Sequence, residues 1–122
     1  MPKTIIVDID GTLMNGSRGI QKTIDYVNSQ ADEYKIIIIT GRLESERAKT
    51  IADLKKNGIK YNRLIMNPYS TAQSISYKKA AALKLQNNPY HILKAIENNP
   101  NAREAYSSLG IEAINPSDLP ED

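Results

Sequence analysis

Asp8 and Asp10 stand two residues apart where an apolar, β-branched run, Thr4 to Ile9, meets Gly11. At spacing i and i+2 on a strand end, both side chains point to the same side. Two carboxylates packed together repel unless a cation or a phosphoryl group compensates them, so the pair demands a divalent metal. Glu97 ends another apolar stretch and supplies a third oxygen. An all-oxygen set suits magnesium, which keeps several waters and a phosphate oxygen in its shell, whereas zinc would want nitrogen or sulfur. A carboxylate beside magnesium can act as a nucleophile on phosphorus, making an aspartyl-phosphate that water later cleaves. The second aspartate is then free to move protons.

These acids can meet only if several elements deliver them to one edge. Thr4 to Ile9 reads as a buried strand stopping at the Asp10-Gly11 turn. After the Gly/Ser stretch Asn15 to Gly19, residues Ile20, Ile24 and Val27 fall at helical spacing, and Lys35 to Ile39 forms a second strand. Leu43 to Asn57 is the next helix, with Ala48, Ile51, Ala52 and Leu54 on one face and Gly58 at its C-terminal cap. A strand at Asn62 to Met66, a loop at Asn67 to Ser74 and a helix at Ile75 to Leu85 follow, the helix turning Ala80, Ala81 and Leu83 inward. His91 to Ile96 is a strand, Asn101 to Leu109 the last helix, and Ile111 to Ile114 a fifth short strand. Strands alternating with helices in this way predict an α/β domain, a doubly wound, Rossmann-like, five-stranded parallel sheet with helices on both faces. Residues 1–114 are expected to form that single domain, with 115–122 a frayed acidic tail. In such sheets ligands bind beyond the carboxyl ends of the strands, where strand order reverses. Those ends carry Asp8 and Asp10, Thr40-Gly41-Arg42, Asn67, and Glu97-Asn98.

Composition closes other routes. The chain has 122 residues, enough for one core, and 16 Lys+Arg against 14 Asp+Glu leave a net charge of +2, which argues for no particular partner. There is no cysteine, so no disulfide scaffold, thiolate nucleophile or Cys-ligated zinc. The one histidine, His91, begins a strand and reads as structural, so chemistry rests on carboxylates, hydroxyls, lysine and arginine. The longest aliphatic run, Ile36 to Ile39, is far short of the ~20 residues that span a bilayer. The first residues lack the apolar core and cleavage site of a signal peptide, and a cytoplasmic protein without membrane partners is expected.

Ile5-Ile6-Val7-Asp8-Ile9-Asp10-Gly11-Thr12-Leu13 resembles the first motif of the haloacid dehalogenase-like (HAD) phosphohydrolase superfamily, an apolar strand followed by Asp-x-Asp-Gly-Thr. Ile37-Ile38-Ile39-Thr40-Gly41-Arg42 resembles the second, Lys78 or Lys79 the third-motif lysine, and Ala95-Ile96-Glu97-Asn98 the fourth, acidic motif. The resemblance covers residues 4–114. It implies that Asp8 is nucleophile and metal ligand, and Asp10 the general acid/base, with its main-chain carbonyl also on Mg2+. Thr40 would hydrogen-bond the transferring phosphoryl group and the lysine would offset its charge, as positioned donors and cations do in phosphoryl transfer. Lys78 is preferred because it directly follows Tyr77. Gly11, Thr12, Gly41, Arg42 and Lys79 are implied to surround the substrate phosphate, although Arg42 could equally pair with a helix acid. Glu97 and Asn98 complete the implied metal set, yet the family usually offers two adjacent acids there, so this cage carries fewer negative groups.

Neither Leu13 to Tyr34 nor Leu43 to Tyr77 leaves room for the cap domain that superfamily members usually carry. An uncapped site suits a phosphate presented on something large, a polynucleotide end or a phosphoprotein, unless an oligomer supplies the lid. The block from Ala95 to Ile114 looks most like the 3′-phosphatase domain of phage-type polynucleotide kinase-phosphatases, while no Gly-x-x-x-x-Gly-Lys phosphate loop occurs. The expected partner is a phosphorylated substrate, including a nucleic-acid 3′ end. Tyr69 and Tyr77 flank the open edge and could stack on a base or simply pack. Lys55, Lys56, Lys60 and Arg63 read as a solvated face, or as a basic patch for a nucleic-acid backbone. The altered fourth motif also admits an impaired domain that binds a phosphorylated ligand. A phosphoacceptor regulatory domain fits less well with Asp-x-Asp-Gly-Thr.

Overall fold

Residues 3–87 and 90–120 are described in the computed structural model; Met1 and Pro2, and Glu121 and Asp122 of the expected tail, lie outside them. In chain order the elements are β1 (Lys3–Val7), β2 (Met14–Asn15), β3 (Arg18–Gly19), α1 (Gln21–Gln30), β4 (Lys35–Leu43) and α2 (Arg47–Lys56). There follow β5 (Arg63–Asn67), α3 (Ser74–Gln86), β6 (His91–Ile96), α4 (Pro100–Ser107) and β7 (Glu112–Ile114). Five strands form one parallel sheet in the order β5-β4-β1-β6-β7. This is the expected doubly wound α/β fold. β1 is central because its apolar residues are buried on both faces, and its register sets Val7 beside Ile38 of β4 and Ile96 of β6.

Alternation along the strands divides the core. Ile5, Val7, Ile36 and Ile38 face Ile24 and Val27 of α1 and Leu54 of α2, while Ile6, Ile37 and Ile39 face Ala82 and Leu85 of α3 and Tyr106 of α4. Each fully buried aliphatic side chain contributes about 1.5–3 kcal/mol of transfer free energy, so the consecutive isoleucines tie helices to both faces at once.

Several expectations are corrected. The stretch Asn15 to Gly19 holds a small antiparallel hairpin, Met14 opposite Gly19 and Asn15 opposite Arg18, with Gly16 at φ +61° supplying the turn's left-handed residue. β4 runs on through Thr40 to Leu43, which pairs with Asn67 after a register shift. On α2 the buried line is Thr50, Asp53 and Leu54, and Ala48, Ile51 and Ala52 face solvent. That inner face is polar because it serves polar groups: Thr50 Oγ1 accepts from Arg42, and Asn57 beyond the helix donates to the Ser17 carbonyl of the hairpin. On α3, Lys78, Ala82 and Leu85 turn inward while Ala80 and Leu83 are exposed, for a reason given below.

The chain after β7 also packs back rather than fraying. Asn115 Oδ1 accepts from the Ser117 N–H, a short 3-10 turn spans Pro116–Asp118, and Leu119 is buried with the first cluster. Leu119→Ala is therefore expected to lower the free energy of unfolding by about 2 kcal/mol, the low end for a buried leucine. Urea denaturation checks this, and a change within ~0.5 kcal/mol would mean that the segment contributes nothing.

Candidate active site

Asp8 follows β1 and Glu97 follows β6, adjacent strands at the point where chain order reverses across the sheet. Ladder-type bonds continue past both strand ends. The Asp8 N–H donates to the Ile96 carbonyl at 3.0 Å and the Glu97 N–H to the Ile114 carbonyl at 2.9 Å, so both acids are set by the sheet. From α3, Lys78 Nζ donates to Asp8 Oδ1 at 3.0 Å and to Glu97 Oε1 at 2.7 Å, all three side chains being buried. This double contact sets the rotation of α3. Ala82 and Leu85, four and seven residues on, fall on the same stripe and go into the core.

Two carboxylates around one ammonium leave the cluster short of positive charge. Burial pushes the Asp8 carboxyl up to about 8; Lys78 pulls it down and Glu97 raises it further. Burial alone would lower Lys78, but Asp8 and Glu97 together outweigh it and hold the ammonium above its usual value.

The turn after β1 is built to close on the fourth-motif loop. The N–H groups of Thr12, Leu13 and Met14 all donate to the Ile9 carbonyl, and Gly11 has φ +77°. A Cβ at Gly11 would collide with the Asn98 amide, so only glycine fits there. The Thr12 hydroxyl lies 3.2 Å from Asp8 Oδ2 and 3.3 Å from Asn98 Oδ1, and accepts from the Asn98 N–H at 3.2 Å. Beyond it, Arg103 donates to the carbonyls of Glu97 and Asn98, and the Asn99 side chain caps α4 ahead of Pro100.

Asp10 departs from expectation. β1 ends at Val7, so the same-side rule no longer governs residues 8 and 10, and the Asp10 carboxylate, 57% exposed, turns to Arg42. Arg42 Nη2 meets Asp10 Oδ1 at 2.8 Å and Nε meets Oδ2 at 3.1 Å, while Nη2 also reaches the Gly16 carbonyl at 2.8 Å. The hydrogen bond to Asp10 raises the guanidinium's pKa further. Thr40 is buried with its Oγ1 accepting from the Arg42 N–H at 3.0 Å. Gly41 lets α3 start against β4, since a Cβ there would meet Ser74 Cβ at 2.6 Å. Lys79, expected beside a substrate phosphate, is exposed on α3 and does not line the hollow described next.

A hollow of about 350 Å³ opens beyond the strand ends, lined among others by Asp8, Asp10, Arg42, Ser74, Lys78 and Asn98. Ser74 had a sequence signal that went unused: it precedes Lys78 by four residues and so shares its helix face. His91 stands exposed at the opposite end of β6.

Among the described residues no three His, Cys, Asp or Glu side chains form a metal cage. Glu97, which lines the hollow beside Asp8, accepts from Lys78 with one oxygen and from the Asn99 N–H with the other. The remaining donors still fit magnesium, which needs only one or two carboxylates alongside waters and a substrate phosphate. Asp8 and Asn98 offer hard oxygens to the hollow, and Asp8 shares its one ammonium partner with Glu97.

The parallel sheet, with a lysine-bridged pair of acids at its switch point, defines a HAD-like phosphatase domain. A family profile for the HAD superfamily, subfamily IIIB (acid phosphatase), matches residues 17–102, which include Thr40, Lys78 and Glu97 and begin after Asp10. The chain belongs to this family. Solved structures of the Pnkp1/Rnl/Hen1 RNA repair complex and of the Pnkp1/Rnl/Hen1 complex share its fold, each with a TM-score of 0.81, 23% identity and 93% of this chain covered. The chain spans 42% and 45% of those chains, less than half of either. No curated protein matches it. Among the described residues no helix is long and apolar enough to cross a membrane.

Since Asp8 is held above its ordinary value, the folded state retains a proton that the unfolded chain releases, and stability falls as pH rises from about 4 to about 8. With divalent ions chelated, Asp8→Asn is expected to melt above wild type at pH 8, the gap narrowing toward pH 4. Thermal denaturation across that range checks it, and a variant that melts below wild type at pH 8 contradicts the charge deficit.

Proposed function

We propose that the chain is a magnesium-dependent phosphomonoesterase that works through an aspartyl-phosphate on Asp8 and acts on phosphates presented by large molecules, among them a polynucleotide 3′ end. The observation that carries this reading is the buried Asp8 carboxylate, gripped by Lys78 and Thr12 at the foot of an open hollow. Asp8 attacks phosphorus, the bond to the leaving oxygen breaks, and that oxygen takes a proton from Asp10; water then attacks the acyl phosphate and gives a proton back to Asp10. The Arg42 fork matches a phosphate as well as it matches a carboxylate. A phosphate entering the hollow competes for Arg42 and frees Asp10 for proton transfer. Asp8, the Asp10 main-chain carbonyl and the Asn98 side-chain oxygen would hold magnesium, which would supply positive charge to keep Asp8 ionised and to offset charge on the phosphoryl group.

The substrate class rests on access. The hollow is lined by strand ends and the short loops and helix starts after them, among them Arg42, Glu46, Thr71 and Asn99, and among the described residues no inserted domain covers it. The fold shared with an RNA repair complex supports a nucleic-acid end over a phosphoprotein.

Phosphate release from p-nitrophenyl phosphate, mononucleotides and 3′-phosphorylated oligonucleotides, titrated with magnesium, tests both parts. Asp8→Asn is expected to lose turnover by a few orders of magnitude, because the covalent route has no substitute. Asn98→Asp adds a carboxylate and is expected to lower the magnesium needed for half-maximal rate by about tenfold. Appreciable turnover in Asp8→Asn sinks the covalent mechanism, and superimposable magnesium curves remove Asn98 from the metal set. A wild type that binds the phosphorylated oligonucleotide without turning it over would instead be the impaired, ligand-binding domain that Asn98 and the Asp10–Arg42 pair favour.

A further inference from the structure

A second hollow, about 480 Å³ and larger than the catalytic one, lies between α3 and the edge strand β5. Its walls include Tyr69, Tyr77, Ile65, Gln73, Arg63 and Lys84, and none of its lining residues is acidic. The nearby Glu44 is already paired with Arg47. Tyr69 and Tyr77 meet edge to face, ring centroids 5.9 Å apart at 77°, and Tyr69 is 64% exposed, which leaves ring surface open to a visitor. Exposing a large aromatic beside two cations costs apolar burial, and among the described residues only Ile51 and Leu83 are comparable exposed hydrophobics.

The two hollows share a wall. Ser74 and Lys78 line the catalytic one, while Gln73, Tyr77 and Lys84 line the other. Tyr77 precedes Lys78 and so points about 100° away around the same helix, and a helix with its side chains is about 10–12 Å across. A chain whose terminal phosphate sits on Asp8 can therefore pass over α3 and lay a neighbouring nucleotide in the tyrosine cleft.

We infer that the Tyr69–Tyr77 cleft is a nucleobase subsite, which holds a base next to the scissile phosphate of a single-stranded polynucleotide while Arg63 and Lys84 face its backbone. This rests on the proposed phosphatase reading and assigns the substrate's second point of attachment. Single strands fit because a stacking cleft needs a base free of its pair. A phosphopeptide offers no flat face of that size at every residue.

The experiment separates the cleft from the chemistry. Binding of a fluorescein-labelled single-stranded oligonucleotide ending in a 3′-hydroxyl is measured by anisotropy with divalent ions chelated, so no turnover is required. Tyr69→Ala, at an exposed ring, is expected to weaken Kd by about tenfold, and Arg63→Gln to lower the salt slope by roughly one. An abasic scan of the last three nucleotides is expected to find one position where base loss weakens wild type but leaves Tyr69→Ala unchanged. For a 3′-phosphorylated oligonucleotide, Tyr69→Ala is expected to raise KM and hold kcat. Equal Kd in wild type and Tyr69→Ala, no measurable binding by wild type, or a phosphopeptide bound in preference to the oligonucleotide overturns the inference. If the oligonucleotide is dephosphorylated while Kd ignores Tyr69, the phosphatase reading stands and the cleft fails. If Kd depends on Tyr69 but no phosphate is released, the cleft stands and the phosphatase reading fails.

Discussion

A single ammonium shared by two buried carboxylates organises this molecule. Lys78 reaches Asp8 and Glu97 at once, and in doing so ties the ends of β1 and β6 to the first turns of α3. Breaking a buried ion pair by removing one partner typically costs about 3–5 kcal/mol, because the other charge is left behind. A triad with one cation and two anions is worse placed than a pair. Its excess negative charge favours a further cation at the centre, and without one it weakens the fold. Glu97 supports this centre: fully buried, it accepts from Lys78 with one oxygen and from the Asn99 N–H with the other while lining the hollow.

Around that fixed centre the remaining charged groups are adjustable. Asp10 and Arg42 lie nearer solvent, and the guanidinium touches three parts of the fold: Asp10, the hairpin carbonyl at Gly16 and the Thr50 hydroxyl on α2. Its main-chain N–H meanwhile occupies Thr40 Oγ1. The site thus holds one buried acid and one half-exposed acid, separated by burial rather than by residue type.

Much of this was legible in the sequence. The isoleucine runs declare strands covered on both faces, and Asp-x-Asp-Gly-Thr with Thr40, Lys78 and Glu97 marks one edge of the sheet. The failures have a common physical cause. On α2 and α3, hydrophobicity pointed to Ala48, Ile51, Ala80 and Leu83, whereas the inner stripes are Thr50, Asp53 and Lys78, because polar duties at the site decide the rotation. Asp10 lines the same hollow as Asp8, but its pairing with Arg42 was not legible, since strand geometry does not extend beyond Val7. The Lys78–Glu97 contact was not legible, because a carboxylate's type does not say which cation it faces. Leu119 lay in a stretch of polar residues and prolines, where one buried leucine makes no periodic pattern.

The space left empty at Gly11 is filled by the amide of Asn98, eighty-seven positions later in the chain. Neither residue can drift alone. A methyl group at position 11 evicts the side chain at 98, and a bulkier or branched residue at 98 presses on a backbone already committed to a left-handed turn. The two loops are therefore sterically coupled, and a replacement at position 98 must fit the volume that Gly11 leaves open. Asparagine and aspartate have nearly the same shape, so this steric lock leaves the charge at position 98 free to change while its outline stays fixed.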